Sequence, residues 1–448
     1  MSNINVNTFT ASILGRCGKF LPLGWVWGES PLGPLRTLVT IMTMVVSGQG
    51  YRSALSKVFE NADGGWYKSN SIPSSAALTQ ARAKLSEKML RDLFRRLCAE
   101  VTHVKSRAQF RYRDFRRCVA VDGTKAALKS TPKLKDAFGC PSGSHLAPQA
   151  RLTVLWDLGG NVPVDWRFGA FDETETGHLD DMLGNLDGSD LLIGDRLFTS
   201  RDMMARCIKR GIHFIFRAKI DGKRTTKELI PFRENELDDQ VVELTGYPGV
   251  KVRLTRAYLP DSTHIVLISS LMAKDGHTRE AIADLYQRRW GIETAYREAK
   301  TWTKLENLPG HSKEHVRQEI AALMIYWLMQ GELIGQTRET YAEEISAQPS
   351  VEQNWTPAEG ICESPVRFNR ALAATMISNI MSMAMVDMEK AVQIWKSNIE
   401  YLWRNRSRRK PGRHNRRTSE RPHKFKKRDE NSVSTSKKWR IKEKNDVT

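Results

Sequence analysis

Apolar residues recur at helical spacing through residues 1 to about 110, then switch to strand spacing near Arg117. The stretches 35–46 and 51–59 read as two helices separated by Gly48 and Gly50. Pro73 and Ser74 start a third, carrying Leu78, Ala81 and Leu85, and Ser86 can cap a fourth, carrying Leu90, Leu93, Phe94 and Leu97. The polar faces of this pair hold Arg82, Lys84, Lys88, Arg91, Arg95 and Arg96, a pattern that suits a helix-turn-helix-like DNA module as well as a pair packed only for stability.

Beyond Arg117, residues 118–122 read as a short buried strand ending in Asp122. The runs 152–158 and 161–168 flank Gly159-Gly160 and predict a hairpin. A helix at 178–186 precedes a second buried strand, 190–195, that ends in Asp195; a helix at 200–209 and a strand at 211–217 follow. Strands alternating with helices predict an α/β layer fold with a mixed sheet. Three further strands, at 241–244, 250–255 and 264–270, have no helix between them and read as a β-rich insertion over 218–272. The chain then reads as one helix over 278–302, followed by helices at 316–333 and 365–402. The stretch 123–149, with Lys125, Lys129, Lys133 and Lys135, reads as a loop that either touches DNA or is simply solvated.

Composition narrows the class. The 448 residues are 40% hydrophobic and 27% charged, enough for a sizeable core, which excludes wholesale disorder. The longest apolar run, 38–46, falls well short of the ~20 residues that span a bilayer, and neither a leader nor membrane association is expected. Six dispersed cysteines without a CxxC pair read as reduced thiols of a cytoplasmic protein, associated here with the nucleoid. The formal charge of +19 points to a polyanion partner. Most of that charge is terminal: residues 401–448 carry 18 Lys and Arg against 5 acids. A segment this poor in aliphatic residues reads as disordered, either a solubilising tail or a nonspecific phosphate-binding arm.

The chemistry is concentrated in 278–302. Counted from Tyr286 at about 100° per residue, Arg289, Glu293, Arg297 and Lys300 fall within roughly 80° of it, and Trp290 borders the stripe. Glu298 falls about 120° away. A stripe of one tyrosine, one carboxylate and three cations suits neither a core-facing helix nor an ordinary solvated face. Trp290 reads equally as a base-stacking residue and as a core-packing one.

Tyr286-x2-Arg289-x3-Glu293-x6-Lys300 resembles the signature of the DDE transposases of the insertion sequence 4 type. Val121-Asp122-Gly123-Thr124, Gly194-Asp195-Arg196-Leu197-Phe198 and Tyr296-Arg297-Glu298-Ala299-Lys300 resemble its other blocks. The likeness runs from 73–82 to about residue 335. It implies an RNase H-like catalytic core, a mixed five-stranded sheet with helices, interrupted by the β-rich insertion and preceded by an all-α N-terminal domain. The divisions expected are 1–110, DNA-binding; 111–217 and 273–335, the two parts of the core; 218–272, the insertion; 336–403, helical; and 404–448, the basic tail. Asp122, Asp195 and Glu293 would be catalytic and would hold two Mg²⁺ ions, with Mn²⁺ able to substitute, because three converging carboxylates need cations between them. Tyr286, Arg289, Lys300, Arg297 and Trp290 would contact DNA. The resemblance further implies binding of double-stranded DNA as terminal inverted repeats and target, cleavage and joining of 3′-hydroxyl ends, and self-association as a dimer or larger. An RNase H-fold nuclease that cuts without joining, or a non-catalytic DNA-binding descendant, are the alternatives. Some relatives hold a flipped base with a tryptophan in the insertion; this chain has none between Trp166 and Trp290, which leaves Tyr247 and Tyr258.

Overall fold

The computed structural model describes residues 32–59, 72–102, 107–141, 147–218, 228–235, 237–258, 264–303, 305–348, 357–385 and 387–408. The described residues fall within one compact unit. Most of the basic tail lies outside the described residues. Its near end does not: the last helix runs to Arg404, and Ser407–Arg408 pairs with Val366–Arg367.

Among the described residues four helices come first: α1 (Pro34–Ser47), α2 (Tyr51–Phe59), α3 (Ser75–Lys84) and α4 (Glu87–Thr102). Ser74 caps α3, its Oγ accepting from Ala77 N at 3.1 Å, and Ser86 Oγ accepts from Met89 N at the start of α4. A short strand β1 (Phe110–Tyr112) leads into β2 (Arg117–Ala127), which continues five residues past Asp122 instead of ending there. The expected loop over 123–149 is therefore partly the end of β2 and partly a helix, α5 (Pro132–Phe138), begun by the Thr131 cap and a proline in its first turn. Lys129 Nζ donates to Pro309 O at 2.7 Å, so that cation is tied to the protein.

After β3 (Gln149–Asp157) and β4 (Val162–Ala170) come α6 (Glu175–Met182), β5 (Asp190–Gly194), α7 (Arg201–Lys209) and β6 (His213–Arg217). The β3–β4 hairpin turns where expected, but its left-handed residue is Asn161 (φ 58°), not either glycine. The glycines serve close approach: a Cβ on Gly159 would sit 2.6 Å from Phe110 O, and one on Gly160 would sit 2.6 Å from Asp157 Oδ2.

The chain continues through α8 (Leu229–Glu234), β7 (Asp239–Glu243), β8 (Lys251–Tyr258) and β9 (His264–Ser269). One eight-stranded sheet results, in the order β4-β3-β2-β5-β6-β9-β8-β7. β2–β5 and β5–β6 are parallel and the remaining pairs antiparallel. Five strands with a separate β insertion were expected, but β9 pairs with β6, and the strands of 218–272 extend the same sheet. Period-2 patterning marks strands without saying which edge they join.

Alternation along β2 divides the core. Val119 and Val121 face one layer with α6 and α7, whereas Cys118 and Ala120 face the layer holding α4 and the later helices. Those are α9 (Arg279–Gln287), α10 (Trp290–Trp302), α11 (Lys313–Thr340), α12 (Ala342–Ser346), α13 (Arg370–Ala384) and α14 (Met388–Arg404), with β10 (Ile361–Glu363), β11 (Val366–Arg367) and β12 (Ser407–Arg408) between and after them. The single helix expected over 365–402 is thus β11 plus two helices. Among the described residues no helix is long and apolar enough to cross a membrane.

Helix α11 is buried on nearly every side from Val316 to Arg338 and packs against α1, α4, α13, α14 and β4. Gly331, within it, lies against the start of β4, where an added Cβ would come 1.9 Å from Val162 Cγ1. Gly331→Ala should therefore destabilise by about 1–3 kcal/mol through overpacking, despite the better helix propensity of alanine. Thermal unfolding of Gly331→Ala with and without Val162→Ala checks this; no rescue by the second change would place the strain elsewhere.

Two of the six cations assigned to the polar faces of α3 and α4 point inward. Arg82 is fully buried, bonding Glu319 and Gln318 of α11, each at 3.0 Å. Arg91 stacks on Trp166 and bonds Trp166 O at 2.7 Å. Lys84, Lys88, Arg95 and Arg96 remain exposed.

Candidate active site

The single helix expected over 278–302 breaks at Arg288 and Arg289, between α9 and α10. Each half packs on different strands, α9 on β6 and β8 and α10 on β2, which one straight helix cannot do. Arg288 lies at the break, 2.9 Å from Glu363 Oε2. Gly291 lets α10 close on the hairpin, since a Cβ there would come 2.9 Å from Leu158 Cδ2. The stripe read on one helix is thus assembled from two helices and the turn between them.

That turn places Arg289 among the acids. Its Nη2 donates to Glu293 Oε1 at 2.7 Å, and its Nη1 stands 3.9 Å from Asp122 Oδ2. Arg289 is 8% exposed and lies near the rings of both Tyr286 and Trp290. Tyr296, on α10, donates its hydroxyl hydrogen bond to Asp122 O at 2.7 Å and so holds the helix against β2 at the level of the acid.

Asp122 is pushed up to about 7, chiefly by burial. The negative charges of Glu175 and Asp195 add to this, while the Gly123 N–H and Arg289 oppose it. Asp195 follows β5, the parallel neighbour of β2, and accepts from Leu197 N at 2.8 Å. Among the described residues, no group of three His, Cys, Asp or Glu side chains is already gathered at metal-binding spacing.

The remaining candidates are placed as follows. Tyr286 is buried, at 5% exposure, under Arg289. Trp290 is 61% exposed. Arg297 is exposed, and Lys300 Nζ pairs with Glu306 Oε1 at 2.8 Å. Glu298 points away from the acids, 2.9 Å from Arg370 Nε. Tyr258 bonds Asp238 at 2.6 Å, and Tyr247 bonds Asp202.

Sequence reasoning missed Glu175. It sits in the first turn of α6, on the opposite face of β2, and pairs with Arg151 at 2.6 Å. A Cβ on Gly123 would come 2.3 Å from Glu175 Cδ, so the glycine after Asp122 is what admits this carboxylate. The available signal was Thr174 capping an acid-led helix directly after β4.

All three acids and every cation of this site fall within one stretch with known relatives. Residues 113–329 match the transposase DDE domain. The DDE match begins just before β2 and ends inside α11. Among solved structures, the chain is similar to one described as a cryo-EM structure of a piggyBac transposase synaptic complex with hairpin DNA. That similarity is 9% identity over 88% of this chain and 81% of the other, with a TM-score of 0.39. No curated protein sequence matches the chain.

Proposed function

We propose that the protein is a DDE transposase of the insertion sequence 4 type, acting on double-stranded DNA at terminal inverted repeats and joining 3′-hydroxyl ends to target DNA. The observation that carries the reading is the meeting of Asp122 and Glu293 on Arg289, from a strand and a helix of the DDE-matching segment. The sheet order, with β2 central and flanked by β3–β4 on one side and parallel β5–β6 on the other, supports an RNase H-like core. The expected divisions then mark working segments of one compact unit, and the exposed cations of α3 and α4 would contact DNA.

The donor set fits a hard divalent ion. Asp122, Asp195 and Glu293 offer carboxylate oxygens, and desolvation holds the partly buried Asp122 carboxyl above the usual carboxylate range, a cost that a bound cation would offset. Mg²⁺, or Mn²⁺ in its place, held by these three residues would activate water or a 3′-hydroxyl and stabilise the leaving oxygen of an in-line displacement.

The chain's own groups supply positioning. Arg289 offsets the charge of two acids and, with its planar fork, can exchange a carboxylate for a phosphate oxygen. Tyr286 underlies that guanidinium, and Tyr296 fixes α10 on β2. Exposed Trp290 and Arg297, with Lys300 on the same helix, would contact the DNA strand. Bridging two transposon ends calls for at least a dimer on DNA.

The test is incubation of a labelled duplex carrying the inverted repeat with a target plasmid in Mg²⁺. Nicked ends together with joined product are expected. Nicking without joining would favour the nuclease, and neither product would favour the non-catalytic descendant. Arg289→Ala should weaken assembly of the paired-end complex by roughly 1.5–3 kcal/mol, as expected for a lost charge-assisted contact. A gel-shift series resolving single-end from paired-end complexes measures it; equal loss in both would make Arg289 structural.

A further inference from the structure

A second cluster of arginines lies behind α10, apart from the acids. Arg338, Arg367 and Arg370 line a cavity of about 310 Å³ beside the tip of the β3–β4 hairpin. Glu298 is on its wall, five residues after Glu293 on α10 and about 140° around that helix.

The charges there do not balance. Arg370 has Glu298 as its carboxylate, 2.9 Å away, and also bonds Gln330 Oε1 at 3.1 Å. Arg338 is only 4% exposed, yet among the described residues it has no acidic partner. Its guanidinium faces Phe368, one nitrogen donates to Arg107 O at 3.2 Å, and its Nε has no hydrogen-bond partner. Burial pulls Arg338 down to about 10, and no neighbouring acid offsets the shift. Arg367, on the rim, also has no ion pair among the described residues, and the positive charge of Arg288 lies near it.

A buried cation without a counter-charge is costly, and proteins keep such groups where an anion supplies the balance. The cavity holds more than a monatomic ion, and guanidinium forks match tetrahedral oxyanions. Asn369 adds a neutral donor at the rim: its Oδ1 is taken by Leu372 N at 3.1 Å, which leaves its amide N–H groups.

We propose that this cavity is an anion site that takes a phosphate group, with Arg338 and Arg367 as its cations. The phosphate could come free in solution or from a DNA strand passing behind the acid-bearing helix, and the two sources separate experimentally. The free-phosphate arm does not depend on the transposase reading, so failure of that reading leaves it intact.

The experiment uses the full chain, comparing inorganic phosphate with chloride at constant ionic strength. For the unsubstituted protein we expect a saturable rise in unfolding midpoint of about 2–4 °C with phosphate. Arg367→Gln, a change at an exposed residue, should remove most of that rise. Arg338→Met should remove it too, with a midpoint in chloride equal to or above that of the unsubstituted protein, because an uncompensated buried charge is gone. If free phosphate gives no rise but Arg367→Gln weakens duplex DNA binding about tenfold and lowers the salt slope by about one, the phosphate is that of the DNA backbone. A phosphate response unchanged in both variants would mean an adventitious ion only and would overturn the proposal. So would a duplex affinity and a phosphate response that both ignore Arg367→Gln. A midpoint several degrees lower for Arg338→Met, with the phosphate response intact, would make Arg338 a structural cation and overturn it as well.

Discussion

Replacing Asp122, Asp195 or Glu293 with alanine is expected to reduce cleavage of a repeat-end duplex by ~10³-fold or more while leaving the gel-shift nearly unchanged. The three acids come from β2, the end of β5 and α10, and the first and last already share Arg289. Losing one would forfeit the several kcal/mol of transition-state stabilisation that metal-assisted phosphoryl transfer supplies, at about 1.4 kcal/mol per tenfold. DNA affinity, by contrast, comes from exposed cations. The choice of control follows from the structure. Glu298→Ala would strand buried Arg370, so Glu298→Gln, which keeps an acceptor, is the proper comparison. If Glu298→Gln stopped cleavage while Glu293→Ala did not, the acids would be wrongly assigned.

The second large effect is on stability. Arg82 and Glu319 form an ion pair with both side chains at 0% exposure. Every part of the guanidinium is engaged, by Glu319, Gln318, the Tyr51 hydroxyl and His315 O. Glu319 also accepts from Gly310 N at 2.9 Å. Removing one partner leaves the other charged and dry, so Glu319→Ala should lower the unfolding free energy by about 3–5 kcal/mol. The double change Arg82→Leu with Glu319→Leu should cost clearly less than the single changes added together, because no orphaned charge remains. Urea unfolding followed by tryptophan fluorescence tests both; a Glu319→Ala protein within about 1 kcal/mol of the original would refute the argument. The same pair ties α3 to α11, so deleting residues 1–110 would expose the core. Recognition is better tested by replacing Lys84, Lys88, Arg95 and Arg96 with alanine, with repeat and random duplexes compared across a salt titration.

Local signals in the sequence located most of the elements. Ser74, Ser86, Ser200 and Thr278 each cap the helix that follows them, since a cap is written in a few adjacent residues. The hairpin at 157–162, the strand bearing Asp122 and the strand leading to Asp195 were legible for the same reason. The order of the acids and the spacing from Tyr286 to Lys300 were enough to single out the segment that matches the DDE domain.

What the sequence left undecided depends on partners distant along the chain. An arginine on a polar helical face reads alike whether it meets water or, as Arg82 does, a glutamate 237 residues away. Strand periodicity could not attach β9 to β6, because period 2 carries no address. The break at Arg288 and Arg289 follows from α9 and α10 packing on different strands of one sheet. Glu175 reaches the acids only because Gly123, across the strand, has no side chain to exclude it. Arg338 lacks a counter-charge only in its folded surroundings. Sequence thus determined which segments form and which residue types are available to react. Tertiary packing decided which charges meet, because burial and the electrostatics that follow from it are properties of neighbours in space.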